Sequence, residues 1–182
     1  MRGYPVPVSV HLYLGHGASG TAASMKPFVD GLRRRGVEAS AIDLPKRKAE
    51  DALPAFHAVV PAGPGVAVGG HSYGGRVASL AAAEPDAAFV ALVLFSYPLH
   101  PPGSPDRTAA RIAHWPAIRC PVLLLSGESD PFARIEFLRR GVEDLTDGEL
   151  VTYPRLGHTL KPVLDDALDR VAAFLARIDA AA

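Results

Sequence analysis

The sequence predicts an α/β protein, a three-layer α/β/α sandwich around a mainly parallel sheet of about six strands, and three observations predict it. Short apolar runs rich in β-branched residues alternate with helix-like segments from end to end, the order that a parallel sheet covered on both faces requires. Two of these runs, Ala91-Leu92-Val93-Leu94-Phe95 and Val122-Leu123-Leu124-Leu125, are apolar at consecutive positions, as in strands buried on both sides. The chain has 182 residues, 48% hydrophobic and 21% charged, which supplies one core and hardly two. Residues 1–182 are therefore expected to form a single domain.

In chain order the predicted strands are 8–14, 37–43, 66–70, 89–95, 122–126 and 150–153, with the two fully apolar ones expected at the centre of the sheet. Between the first two, Met25, Phe28, Val29 and Leu32 recur at helical spacing before Gly36 stops the helix. After the third strand an alanine-rich helix runs towards Glu84-Pro85. Leu164, Leu168, Val171, Phe174, Leu175 and Ile178 form one apolar stripe over several turns, so the last helix should lie along the sheet. Proline and glycine gather at 61–65 and 98–105, which reads as turns rather than linkers.

Nineteen basic residues against nineteen acidic ones give no net charge, and hence no overall field to gather nucleic acid or anionic lipid. Lys46, Arg47 and Lys48 make the one compact basic run, which reads as a solvated loop. A lone cysteine, Cys120, cannot close an intramolecular disulfide and reads as a small buried hydrophobe. Residues 1–7 lack the apolar core of a secretory leader, and no stretch is apolar for long enough to span a bilayer. The expectation is a cytoplasmic protein with neither membrane nor nucleic-acid partners. No histidine pair recurs at helical spacing and there is no cysteine cluster, so no metal site and no cofactor are expected.

The chemistry concentrates at Gly70-His71-Ser72-Tyr73-Gly74-Gly75, which directly follows a predicted strand and opens a helix. A G-x-S-x-G in that setting is a nucleophile elbow: the serine sits in a strained turn with its hydroxyl above the sheet, and the glycines avoid collision with neighbouring backbone. The plainer alternative is a glycine-rich turn. Gly15-His16-Gly17-Ala18-Ser19-Gly20 ends the first strand, where an oxyanion hole is built. Its two N–H donors are assigned to Tyr73 and Ala18, with Gly17 or Ser19 replacing Ala18 if the loop threads differently. Read as a phosphate loop, the same stretch lacks the lysine that would hold the β- and γ-phosphates.

Asp130 leaves the C-terminal end of a buried strand and could orient a histidine, or simply cap a helix starting near Pro131, with Glu128 as the substitute acid. His158 follows the final strand and completes the chain order Ser, Asp, His. The other histidines read blandly, although His16 and His100 could line a pocket. Together Ser72, His158 and Asp130 describe acyl transfer: nucleophile, general base, and the carboxylate that fixes the imidazole.

On these residues the sequence resembles the α/β-hydrolase superfamily, and more narrowly its small, cap-less, dienelactone-hydrolase-like members, from about Val8 to Ile178. The carried residues are His16, Gly17, Gly70, Ser72, Gly74, Asp130 and His158. Dienelactone hydrolases use a cysteine nucleophile, so their substrate is not implied. Ser96-Tyr97-Pro98-Leu99-His100-Pro101-Pro102, taken with residues 126–132, also resembles a hydrolase-like branch that includes a subunit of a eukaryotic chromatin-modifying complex. Residues 96–119 leave little room for a lid. The expected pocket is shallow and open, edged by His16, Tyr97, Leu99 and Phe132, and suited to small-molecule acyl esters or thioesters. A hydrolase-shaped scaffold that turns over nothing is the alternative, and the oligomeric state is not legible.

Overall fold

The computed structural model describes residues 8–181; the segment 1–7, read above for a leader, lies outside the described residues. In chain order the elements are β1 (Val8–Gly15), α1 (Lys26–Arg33), β2 (Val37–Ile42), α2 (Leu53–Val59), β3 (Val66–His71) and α3 (Tyr73–Ala82). They continue with β4 (Ala91–Phe95), α4 (Thr108–Ile112), β5 (Val122–Gly127), α5 (Ile135–Gly141), β6 (Gly148–Tyr153) and α6 (Leu164–Ala181). The strands form one sheet in the order β2-β1-β3-β4-β5-β6, and every pairing is parallel.

Alternation along the central strands divides the core in two. Leu92, Leu94 and Leu124 face a cluster with Phe56, Val77, Ala78, Trp115 and Leu138 from the helices of one face. Val93, Phe95, Leu123 and Leu125 face Phe28 and Leu32 of α1 and Leu168, Val171, Phe174 and Leu175 of α6 on the other. Burial on both sides is why β4 and β5 read as unbroken apolar runs, and neither is an edge strand. The predicted fourth strand begins too early, since Phe89 and Val90 precede β4 as half-buried loop residues and Phe89 packs edge-on against Phe56. The sixth begins too late, because pairing with β5 starts at Gly148. Between β4 and β5 lie only α4 and short 3-10 turns, so the chain carries no separate cap.

Chain direction across the sheet reverses between β1 and β3: β2 lies on one side of β1 and all later strands on the other. The carboxyl ends of β1 and β3 flank the crevice where ligands of open α/β sheets bind. Among the described residues no helix is long and apolar enough to cross a membrane.

Candidate active site

Three loops leave the C-terminal rim of the sheet with the groups singled out from sequence. Ser72 joins β3 to α3 at φ 51° and ψ −111°, a conformation a serine adopts only where its surroundings hold it there. Its N–H donates to Phe95 O at 2.9 Å, and the Gly74 N–H donates to His16 O at 2.9 Å, so the turn is pinned to β4 on one side and to the loop after β1 on the other. A Cβ on Gly70 would meet Gly74 C at 2.7 Å, and one on Gly74 would fall inside the Gly15 backbone. Both glycines are thus required by close approach.

His158 follows β6 and places Nε2 3.0 Å from the Ser72 hydroxyl, which can donate to it, and Nδ1 2.7 Å from Asp130 Oδ2. The Asp130 side chain is fully covered. Its other oxygen, Oδ1, accepts the Phe132 N–H at 2.8 Å. One carboxylate oxygen thus meets His158 while the other holds a turn; no helix starts near Pro131 for Asp130 to cap, since α5 begins only at Ile135. Glu128 turns elsewhere, towards the Thr152 hydroxyl at 2.8 Å and Arg139 at 3.2 Å.

Tyr73 is the first residue of α3, and Ala18 sits in a turn closed by the Gly20 N–H donating to Gly17 O at 2.9 Å. Neither N–H donates a hydrogen bond among the described residues.

The expected pocket edge needs correction. Tyr97 and Leu99 are 1% and 0% exposed: past Ser96, which lies at φ 50°, both side chains enter the core with α2, α3 and α5, and Tyr97 packs edge-on against Trp115 at 5.1 Å. His16 is 1% exposed with both ring nitrogens engaged, Nδ1 donating to Gly17 O at 2.7 Å and Nε2 accepting the Leu44 N–H at 3.0 Å. It braces the loop instead of lining a pocket. His100 is likewise buried, accepting the Arg134 N–H at 3.1 Å. Phe132 does reach the site, with its ring centroid 4.6 Å from that of His158.

Two contributors escaped the sequence reading. His71 packs 5.2 Å from the His158 ring, and burial together with the neighbouring His158 holds its pKa below the ordinary imidazole value. A Cβ on Gly17 would press on His71 Nδ1 at 3.0 Å, which gives that glycine a steric role. Gly127 ends β5, where any Cβ would strike the Leu156 and Gly157 carbonyls, so only glycine lets the His158 loop close on the strand that carries Asp130. His71 occupies the variable position of the elbow, but nothing local marks Gly127. Beside the triad a cavity of about 310 Å³ is lined by Gly17, Ser24, Met25, Phe28, His71 and Thr159, among others. No group of three or more His, Cys, Asp or Glu side chains suited to a metal is found among the described residues.

The fold is that of known lipases and esterases. A monoacylglycerol lipase of Paleococcus ferrophilus superposes with a TM-score of 0.79 at 16% identity, covering 96% of this chain and 97% of that one. Esterase 2 of Thermogutta terrifontis, phosphorylated by paraoxon, gives 0.76 at 18% identity over 97% and 85%. An esterase of Pyrococcus furiosus gives 0.74 at 17% identity over 93% and 81%. At these identities the likeness is one of fold. No curated protein sequence matches the chain. The family profile described as alpha/beta hydrolase domain matches residues 9–176, and on that match the chain belongs to the α/β-hydrolase domain family.

Proposed function

We propose that the protein is a serine hydrolase of carboxylic esters or thioesters with small acyl groups, working through an acyl-enzyme. One observation carries the reading: an unbroken relay in which a strained serine hydroxyl, an imidazole and a buried carboxylate stand 3.0 and 2.7 Å apart. In the first half-reaction Ser72 Oγ bonds to the substrate carbonyl carbon while its proton passes to His158 Nε2. The Asp130 carboxylate holds Nδ1–H in place and stabilises the imidazolium. The N–H groups of Tyr73 and Ala18 face the oxyanion. His158 then gives the proton to the leaving alkoxide or thiolate, and water repeats the sequence to release the acid. The esterase and lipase neighbours agree with this chemistry.

Fluorophosphonate labelling tests it, since such probes need an activated serine. Wild type is expected to label at neutral pH and Ser72→Ala to remain unlabelled. An unlabelled wild type would leave the hydrolase-shaped scaffold as the reading. Turnover of p-nitrophenyl esters and acyl thioesters of increasing chain length then ranks the acyl group, and rates are expected to fall for long chains because no cap shelters them.

A further inference from the structure

His71 and Tyr73 flank Ser72, and each lines a different hollow. The His71 side opens on the small cavity described above. The Tyr73 side opens on a groove of about 680 Å³ formed by the loop after β2, the start of α3, and α4. Arg47, Lys48, Arg76, Arg107 and Arg111 line it, against the single carboxylate of Glu50. In a chain with no net charge this is a marked local excess. Among the described residues Arg76 is the one cation of the five in an ion pair, with Glu50, and it also donates to the Arg111 carbonyl at 2.9 Å. Arg111 is half-buried, makes no ion pair among the described residues, and stands near Arg76; burial and that neighbour outweigh the Glu50 carboxylate and hold its guanidinium below the ordinary value. Asp51 is a further carboxylate whose field reaches Tyr73. Five cations around one lining carboxylate leave the groove with a local positive potential that an anionic ligand would neutralise.

We infer that the groove beside Tyr73 receives an anionic group, phosphate or carboxylate, carried by the substrate, so that the hydrolase favours anionic esters or thioesters over neutral ones. The inference rests on the serine-hydrolase reading for the word substrate, and on the groove alone for the word anionic. With the carbonyl at Ser72, an anionic arm would extend past Tyr73 to Arg107 and Arg111, while the opposite arm occupies the cavity beside His71. Guanidinium forks suit either oxyanion through paired hydrogen bonds.

Matched substrates test it. Butyryl-4′-phosphopantetheine and butyryl-pantetheine share acyl group, thioester and pantetheine arm and differ only in the phosphate. Mono-4-nitrophenyl succinate and 4-nitrophenyl butyrate differ in a carboxylate. The expected result is a kcat/KM ratio, anionic over neutral, that exceeds one in at least one pair, falls as salt rises, and drops roughly tenfold for each of Arg107→Gln and Arg111→Gln. The pair that responds identifies the anion. Both substitutions leave the Arg111 carbonyl that Arg76 uses in place, and thermal melts of the two variants confirm folding. Binding of inorganic pyrophosphate to wild type and to the double variant, by calorimetry, reads the groove without turnover. Ratios indifferent to both substitutions and to salt, or pyrophosphate binding that survives the double variant, would overturn the inference. If no substrate is cleaved and no fluorophosphonate label forms, the hydrolase reading fails, and the pyrophosphate result still decides the groove.

Discussion

Asp130 divides its carboxylate between two tasks, one oxygen holding the turn at Phe132 and the other holding His158. Asp130→Asn keeps the first and, by presenting an amide to Nδ1, favours the wrong tautomer; kcat is expected to fall about 10⁴-fold with the fold intact. Glu128→Gln should stay within a fewfold of wild type in the same assay, because its carboxylate is spent on Thr152 and Arg139. A second residue-scale effect concerns acid stability. Burial, then the nearby Arg76, pushes the His114 imidazole from 6.5 down to about 4, and His71 is lowered in the same direction. The unfolded chain therefore binds more protons than the folded one below pH 6.5. Stability is complete above that value and drains away as pH falls towards about 4. Melting temperatures followed across this window should show the loss, and His114→Asn should flatten part of it; a flat wild-type profile would contradict the assignment.

At the scale of elements, close backbone approach decides the site more than side-chain choice does. The elbow is squeezed against β1 at Gly15, and the His158 loop against the end of β5 at Gly127. Substituting Gly127→Ala is expected to cost at least about 2 kcal/mol and to lower activity beyond what the lost stability explains, since the loop must lift off the strand and carry His158 with it. Denaturant unfolding and kcat on the same preparation separate the two effects. The contact of α1 with α6 follows the same rule, for a Cβ on Gly31 would collide with the Leu168 side chain. Strand signals were legible because each rests on a local run of residues. Their ends moved by two residues at β4 and β6, where pairing partners rather than composition set the limit.

Across the whole molecule, one sheet separates two cores, and α1 and α6 close one of them. Leu168→Ala removes a buried side chain at the α1–α6 contact and should cost about 2–5 kcal/mol. At roughly 2–4 °C per kcal/mol for a chain of this size, the melting temperature should fall by several to about twenty degrees. If residues 8–181 form one folding unit, calorimetry should show a single transition in both proteins. The distribution of charge also belongs to this scale. Arg47 and Lys48, read in sequence as a solvated loop, share a groove with three arginines from two later segments.

The amino-acid sequence alone determined the parallel α/β class and the order of elements, and it singled out Ser72, Asp130 and His158 as the proposed triad, because each is announced within a few residues by periodicity, turn chemistry or a glycine pattern. Only the tertiary structure decided which flanking residues face the site. Tyr97, Leu99 and His16 sit beside site motifs in the chain yet are buried, while Gly127, His71 and the arginines of α3 and α4 lie at or beside the rim. Facing and burial depend on contacts between segments tens of residues apart, and no local pattern encodes them.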